Sequence, residues 1–227
     1  ELVNPKVNAL VNILSKEACE KLASAECPLE GALGGMPMAI KDLANVKGFK
    51  TTEGSPLYSE RVARKDDQMV ARLRAAGALF IGKTNTPEFG LGSNTFNPVY
   101  GKTKNPYDLT RTCGGSSGGA AVALATRMLS ISDGSDMMGS LRNPAAWNNV
   151  YGMRPTWGLV PPEPSGEIFL SQLSTLGPMA RSPKDLALLL DVQANHFDNK
   201  SYIAQSKSFS NFTAQPRMKN IKIGWLG

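Results

Sequence analysis

Residues 66–84 read DDQMVARLRAAGALFIGKT, and this stretch decides the fold class. Asp66 is a residue type that caps helix N-termini, and apolar residues follow it at helical spacing until Gly77 ends the pattern. The next four residues, 78–81, are apolar and are predicted to form a buried strand that ends at Gly82. A helix that leads directly into a buried strand predicts an α/β fold.

The same stretch contains a false nucleotide-binding motif. Gly77 to Thr84 matches the phosphate-loop pattern GxxxxGK[ST] letter for letter. That pattern binds phosphate only when its central residues form a loop before a helix. Here the central residues favour a buried strand, and Asn85-Thr86-Pro87 prevents a following helix. The sequence therefore predicts that no nucleotide binds here.

Composition and charge exclude several classes of protein. The chain has 227 residues, of which 41% are hydrophobic and 19% charged, as is typical of a globular protein. His196 is the single histidine, which excludes a site of several histidines and disfavours a Ser-His-Asp triad. Of the net charge of +6, five charges fall within residues 199–227, which contain no acidic residue. The remainder is nearly neutral, so no direct binding of nucleic acid is expected.

The cysteines and the ends of the chain give further expectations. Cys19, Cys27 and Cys113 form no CxxC pair, so neither a disulfide framework nor a zinc site is expected, and a reducing, cytoplasmic location is favoured. No apolar run is long enough to span a membrane. Residues 1–227 are predicted to be one partial domain, with a polar, irregular connecting segment at 195–220. A strand at 221–226 then begins as the chain ends, which indicates an incomplete sheet.

Three polar positions are candidates for chemistry. Lys41 follows five uncharged residues, 36–40, and burial there would lower its pKa and make its amine a usable base. Residues 114–119 read GGSSGG directly before a segment that favours a helix. Ser140 follows Gly139 in a turn whose backbone N–H groups are suited to an oxyanion hole. A serine nucleophile with a lysine base needs no histidine.

Taken together, these segments resemble the amidase signature family of serine hydrolases. The matches recur in the family's order and spacing between about residues 30 and 193. The matching segments are Gly35–Asp42, Leu73–Asn85, Gly114–Gly119, Asp133–Ala145, Gly152–Thr156 and Leu176–Arg181. The resemblance implies a mixed β-sheet flanked by helices on both sides, with the C-terminal part of the sheet missing from this chain.

The resemblance also implies a catalytic group of Ser–cis-Ser–Lys type. Lys41 matches the base, Ser116 the bridging serine after a cis peptide bond, and Ser140 the nucleophile. The backbone N–H groups of Met137, Met138, Gly139 and Ser140 match the oxyanion hole.

Further residues receive supporting roles by the same resemblance. Asp136, Arg142, Gly115 and Ser117 match positions that hold the reactive loops, and Phe89 with Gly90 matches, more weakly, a wall of the substrate pocket. The sequence departs from the family pattern at Met138, where a small residue or glycine is usual. The expected consequence is a narrower pocket.

The implied function is hydrolysis of a small-molecule amide through an acyl-enzyme, without metal or other cofactor. Two alternatives stay open: the A subunit of a glutamine-dependent amidotransferase, and a catalytically inactive fragment or scaffold. The sequence does not name the amide, and it leaves open whether the protein forms a homo-oligomer.

Overall fold

A computed structural model describes residues 2–26, 30–163, 172–194, 208–210, 222 and 224. These residues form a mixed α/β fold, as the sequence predicts. The helices are α1 Asn4–Val7, α2 Lys16–Glu26, α3 Gln68–Ala75, α4 Gly118–Ala125, α5 Arg142–Trp147 and α6 Pro183–Ala194, with 3-10 turns at Pro56–Tyr58 and Glu88–Gly90. The strands are β1 Leu10–Val11, β2 Pro37–Lys41, β3 Leu79–Thr84, β4 Phe96–Asn97, β5 Gly101–Lys102, β6 Ile131–Asp136, β7 Tyr151–Gly152 and β8 Thr175–Ala180.

The predicted helix–strand unit is present as α3 and β3, with one correction at its start. The N-cap residue of α3 is Asp67 rather than Asp66. Asp66 instead accepts hydrogen bonds from the Arg74 side chain, with Nε at 2.7 Å, and from the Lys47 N–H at 2.7 Å. The carboxylate of Asp66 is therefore bound by Arg74, and the neighbouring residue, Asp67, occupies the N-cap position.

Strand β3 settles the phosphate-loop question in favour of the strand. β3 includes both Gly82 and Lys83. In a phosphate-binding loop, Gly82 would have to lie in the loop and Lys83 would have to contact a phosphate. Lys83 is completely buried inside the sheet. β3 pairs in parallel with β2 and antiparallel with β1, so this sheet has mixed direction.

Helices cover both faces of this sheet, as predicted. Alternate residues of a strand point to opposite faces. On β2, Met38 and Ile40 join a core shared with α3 and α6, whereas Ala39 joins a second core built mainly on α4. β2 is therefore buried from both sides, and the residue at its end, Lys41, is buried with it.

A second sheet differs from what its residues predict. The run LSIS at 129–132 predicts a short strand, and DGSDMMGS at 133–140 predicts a loop, but β6 runs from Ile131 to Asp136. It does so because β8 pairs with it antiparallel along its whole length, from Ile131–Ala180 to Asp136–Thr175. Backbone pairing satisfies the N–H and C=O groups whatever the polarity of the side chains. β2 and β6 lie side by side, which brings this polar strand to the end of β2.

Ser182-Pro183 is a sequence signal for a helix start and predicts a helix to about Gln193, which the structure contains as α6. Ser182 caps it, accepting the Asp185 N–H at 3.1 Å, and Pro183 occupies its first turn. The predicted connecting segment 195–220, apart from residues 208–210, lies outside the described residues. The predicted strand at 221–226 also lies outside them, apart from residues 222 and 224.

Candidate active site

Lys41 lies at the carboxyl end of β2 with 1% of its surface exposed. Its Nζ is 2.7 Å from Ser116 Oγ, 2.9 Å from Ser117 Oγ and 3.0 Å from Ser135 Oγ. The first link of the predicted relay, from lysine to bridging serine, is thus within hydrogen-bond distance. Ser117, expected only to support the loop, also contacts the amine.

The Lys41 amine is held in conditions that favour a base. Burial lowers its pKa to about 7, while the negative charges of Asp133 and Asp136 act in the opposite direction. A buried ammonium without a directly paired carboxylate is costly, so the amine loses its proton more readily than a surface lysine does. The neutral form has a lone pair that accepts a proton near neutral pH.

Ser116, the predicted bridging serine, precedes α4. The Gly115–Ser116 peptide bond is cis, as the resemblance implies. Ser116 is 2% exposed. A side chain at Gly115 would lie 3.0 Å from the backbone of Ser93 and Asn94, so only a glycine passes this point without displacing a neighbour. The small residues of the GGSSGG run therefore allow the hydroxyls of Ser116 and Ser117 to contact Lys41.

Ser140 lies in the loop between β6 and α5, beside the bridging segment. Its carbonyl accepts the Ser117 N–H at 3.2 Å, which docks the two loops together. Its side chain is partly exposed. Within the part of the chain that is described, Ser140 Oγ makes no hydrogen bond, so the second link of the relay stays a prediction. In enzymes without substrate such contacts are often long and tighten only in the complex.

Asp136 contacts the backbone of this loop and the side chain of Arg142. Its carboxylate accepts the N–H groups of Gly139 at 2.8 Å and Leu141 at 3.1 Å. Arg142 binds both carboxylate oxygens, at 3.0 and 3.1 Å. These contacts outweigh the effect of burial and hold the pKa of Asp136 well below its usual range. The loop therefore stays anchored by a charged group at all ordinary pH values.

Arg154 is a further anchor that the sequence reasoning missed. Its Nη1 contacts the Asp136 carboxylate at 3.1 Å and the Met137 carbonyl at 2.8 Å, and its Nη2 contacts the Leu173 carbonyl at 2.7 Å. The signal was available in the matching segment Gly152–Thr156, to which no role was given.

The predicted oxyanion donors do not all face the same way. The Gly139 N–H is taken up by Asp136, so it holds the loop rather than facing a substrate. Gly139 has a φ of +116°, and a side chain there would meet Asn143 at 2.7 Å. Among the described residues, the N–H groups of Met137, Met138 and Ser140 donate no hydrogen bond. These three remain the predicted oxyanion donors.

Phe89 and Gly90 lie in a 3-10 turn, and their role in the pocket stays a prediction. Phe89 has a φ of 52° and packs edge-on against Tyr58, with ring centroids 6.1 Å apart. A side chain at Gly90 would meet Leu43 at 2.7 Å, two residues beyond Lys41. Met138 is 80% exposed, so its predicted narrowing of the pocket also stays a prediction.

The described residues also bear on two other classes of site. No group of three or more His, Cys, Asp or Glu side chains among them is placed to hold a metal ion. None of the helices within the described ranges has both the length and the apolar character needed to cross a membrane.

Comparison with known proteins gives the family. A family model described as Amidase matches residues 1–226. The A subunit of glutamyl-tRNA(Gln) amidotransferase from Carboxydothermus hydrogenoformans is 40% identical over 99% of this chain and 47% of its own length. Among solved structures, 6-aminohexanoate cyclic dimer hydrolase complexed with substrate has a TM-score of 0.82 at 32% identity, covering 92% of this chain and 44% of that one.

A peptide amidase from Stenotrophomonas maltophilia has a TM-score of 0.74 at 36% identity, covering 87% of this chain and 42% of that one. The chain thus spans about half the length of the curated relatives it matches. Because the family model matches almost every residue, and the relatives share both sequence and fold with this chain, the chain belongs to the amidase signature family.

Proposed function

We propose that the protein hydrolyses a carboxamide C–N bond through an acyl-enzyme on Ser140. The observation that carries this proposal is the 2.7 Å contact between Nζ of the buried Lys41 and Oγ of Ser116. A buried amine with a lowered pKa beside a hydroxyl supports general-base chemistry without histidine.

The proposed reaction begins with two proton transfers. Neutral Lys41 Nζ takes the proton of Ser116 Oγ, and Ser116 Oγ takes the proton of Ser140 Oγ, which attacks the carbonyl carbon. The resulting oxyanion accepts hydrogen bonds from the N–H groups of Met137, Met138 and Ser140. The C–N bond then breaks, and the leaving amine receives a proton from Lys41 through Ser116. Water hydrolyses the acyl-enzyme by the same route and restores the Ser140 hydroxyl.

A fluorophosphonate probe tests the nucleophile directly. We expect covalent modification at Ser140, located by peptide mass spectrometry, because an activated serine oxygen attacks phosphorus as it attacks a carbonyl. A matched control is Ser24→Ala, since Ser24 is an exposed helical serine whose hydroxyl donates to the Lys21 carbonyl and lies on a helix apart from the Lys41 site. This variant should be labelled like the unaltered protein. Labelling spread over exposed serines, with none at Ser140, would refute the proposed nucleophile.

The pH dependence of labelling tests the base. Lys41 acts only when neutral, and its pKa is lowered to about 7, so the labelling rate should rise with pH through this value. It should level off about one pH unit above that midpoint, where almost all of the amine is deprotonated. Labelling rates measured from about pH 5 to about pH 9 give the midpoint. A rate independent of pH, or one that falls as pH rises, would contradict Lys41 as base.

A second candidate function is that of an amidotransferase A subunit. It is favoured by the 40% identity to a relative with that name. Ammonia release from glutamine that depends on a partner subunit would support it, whereas hydrolysis of simple amides without any partner would favour the first proposal. A complete lack of labelling and hydrolysis would favour the inactive scaffold.

A cytoplasmic location stays a prediction, which the free thiols of Cys19 and Cys113 support.

A further inference from the structure

Asp133 is a buried carboxylate next to the proposed base that the mechanism above does not use. It is 1% exposed and lies on β6, two residues before Ser135. Residues two apart on a strand share a face. Both of these residues contact Lys41: Asp133 Oδ1 accepts its main-chain N–H at 3.0 Å, and Ser135 Oγ contacts its Nζ.

The hydrogen bond from the Lys41 N–H lies at the edge of β2 with which no strand of the described residues pairs. β3 pairs with β2 on one side, and β6 lies beside β2 without pairing with it. The buried N–H of Lys41 therefore finds its acceptor in a side chain rather than in a strand. A buried N–H without an acceptor would destabilise the end of β2. The hydrogen bond to Asp133 therefore fixes the position of the Lys41 main chain, from which the side chain extends to the serines.

Two carboxylates act on the Lys41 amine, and they differ in what neutralises them. Asp136 is held by the guanidinium groups of Arg142 and Arg154. Asp133 has no guanidinium partner among the described residues. Its positive neighbours are Lys41 itself and the buried Lys83.

Lys83 in turn lies close to another carboxylate, that of Asp42. Its Nζ lies 3.7 Å from Asp42 Oδ1, and both side chains are fully buried. Asp67 also acts on Lys83 from the start of α3. The charge of Lys83 is therefore shared among several acids, which leaves the Asp133 carboxylate as the less compensated negative charge near Lys41.

We infer that Asp133 is a positioning residue for Lys41: its carboxylate anchors the lysine main chain and, when charged, holds the proton on Nζ more firmly. This inference rests on the proposed function of Lys41 as the base. An ionised Asp133 stabilises the ammonium form, so it opposes the lowering of the lysine pKa by burial. Burial raises the pKa of Asp133 itself to about 6, so both groups titrate in neighbouring ranges. Such a pair titrates in two coupled steps.

Asp133→Asn tests the inference because the amide oxygen still accepts the Lys41 N–H while the charge is gone. Without that charge the ammonium form loses support, so the Lys41 pKa should fall and the acid limb of the labelling profile should move about one unit lower in pH. A merely structural role would change the amplitude of the profile and not its midpoint. Asp67→Asn is the matched control, since Asp67 acts on Lys83, and it should leave the midpoint in place.

A titration of the Lys41 side chain by NMR, with the signal assigned by its loss in Lys41→Arg, separates the two proposals. If the unaltered protein is not labelled at Ser140, the proposed function fails, while the lysine titration still reports on Asp133. If labelling occurs but Asp133→Asn leaves both midpoints unchanged, the inference about Asp133 is wrong. Should this variant not fold, the unaltered protein decides: a two-step Lys41 titration supports the coupling, and a single step overturns it.

Discussion

Replacing Lys41 with methionine should reduce amide hydrolysis by about 10²–10⁴-fold, the range expected for loss of a general base. Methionine has nearly the length of lysine and fills the same buried space without the amine. Because burial already disfavours the ammonium, removing it relieves a desolvation cost, and the thermal midpoint of unfolding should change little. Hydrolysis of an amide substrate and a thermal melt on the same preparation measure both effects.

The matched control is Lys83→Met, because Lys83 is a second fully buried lysine on the neighbouring strand. Its charge balances Asp42 at 3.7 Å. Breaking a buried ion pair from one side typically costs about 3–5 kcal/mol, so this variant should lose stability. The molecules that remain folded should still be labelled at Ser140. Near-normal kcat in Lys41→Met, or equal losses of labelling per folded molecule in both variants, would show that Lys41 is not the base.

These two lysines also show which features of the structure can be predicted from the sequence. Lys41 is predicted at the end of a buried strand, whereas the strand before Lys83 is predicted to end at Gly82. The structure extends that strand, β3, to Thr84 and so includes Lys83. The strand nature of β3 follows from its apolar residues, which is why the phosphate-loop interpretation fails for Lys83. The place of Lys41 follows from the uncharged run before it. These features are local, so they can be read from the residues themselves.

The full extent of β6, and the residues that it places beside Lys41, could not be predicted from local residues. Residues 131–136 are ISDGSD, and their polarity is typical of a loop. Their strand conformation depends on pairing with β8, more than 35 residues further along the chain. With the strand ended too early, the shared face of Asp133 and Ser135 was not recognised. The contact between Asp136 and Arg154 was missed for a similar reason, since it joins segments separated by a turn, helix α5 and strand β7.

Removal of the proposed nucleophile should have the largest effect of all. Ser140→Ala leaves no oxygen to form the acyl-enzyme, so hydrolysis should fall by about 10⁴-fold or more, to the background of the assay. Ser116→Ala should reduce it less, by about 10²–10³-fold, because a water molecule in the vacated space can pass the proton to Lys41. Rates of amide hydrolysis and of fluorophosphonate labelling should fall in the same order.

Ser117→Ala is the control that distinguishes a serine that passes the proton from one that only contacts Lys41. Ser117 Oγ lies 2.9 Å from Lys41 Nζ, almost as near as Ser116 Oγ at 2.7 Å. In the proposed mechanism only Ser116 passes the proton, so Ser117→Ala should reduce the rate by no more than about tenfold. If Ser117→Ala instead has the larger effect, the proton passes through Ser117, whose N–H also binds the Ser140 carbonyl. Equal effects of Ser116→Ala and Ser140→Ala would argue against their separate roles as bridge and nucleophile.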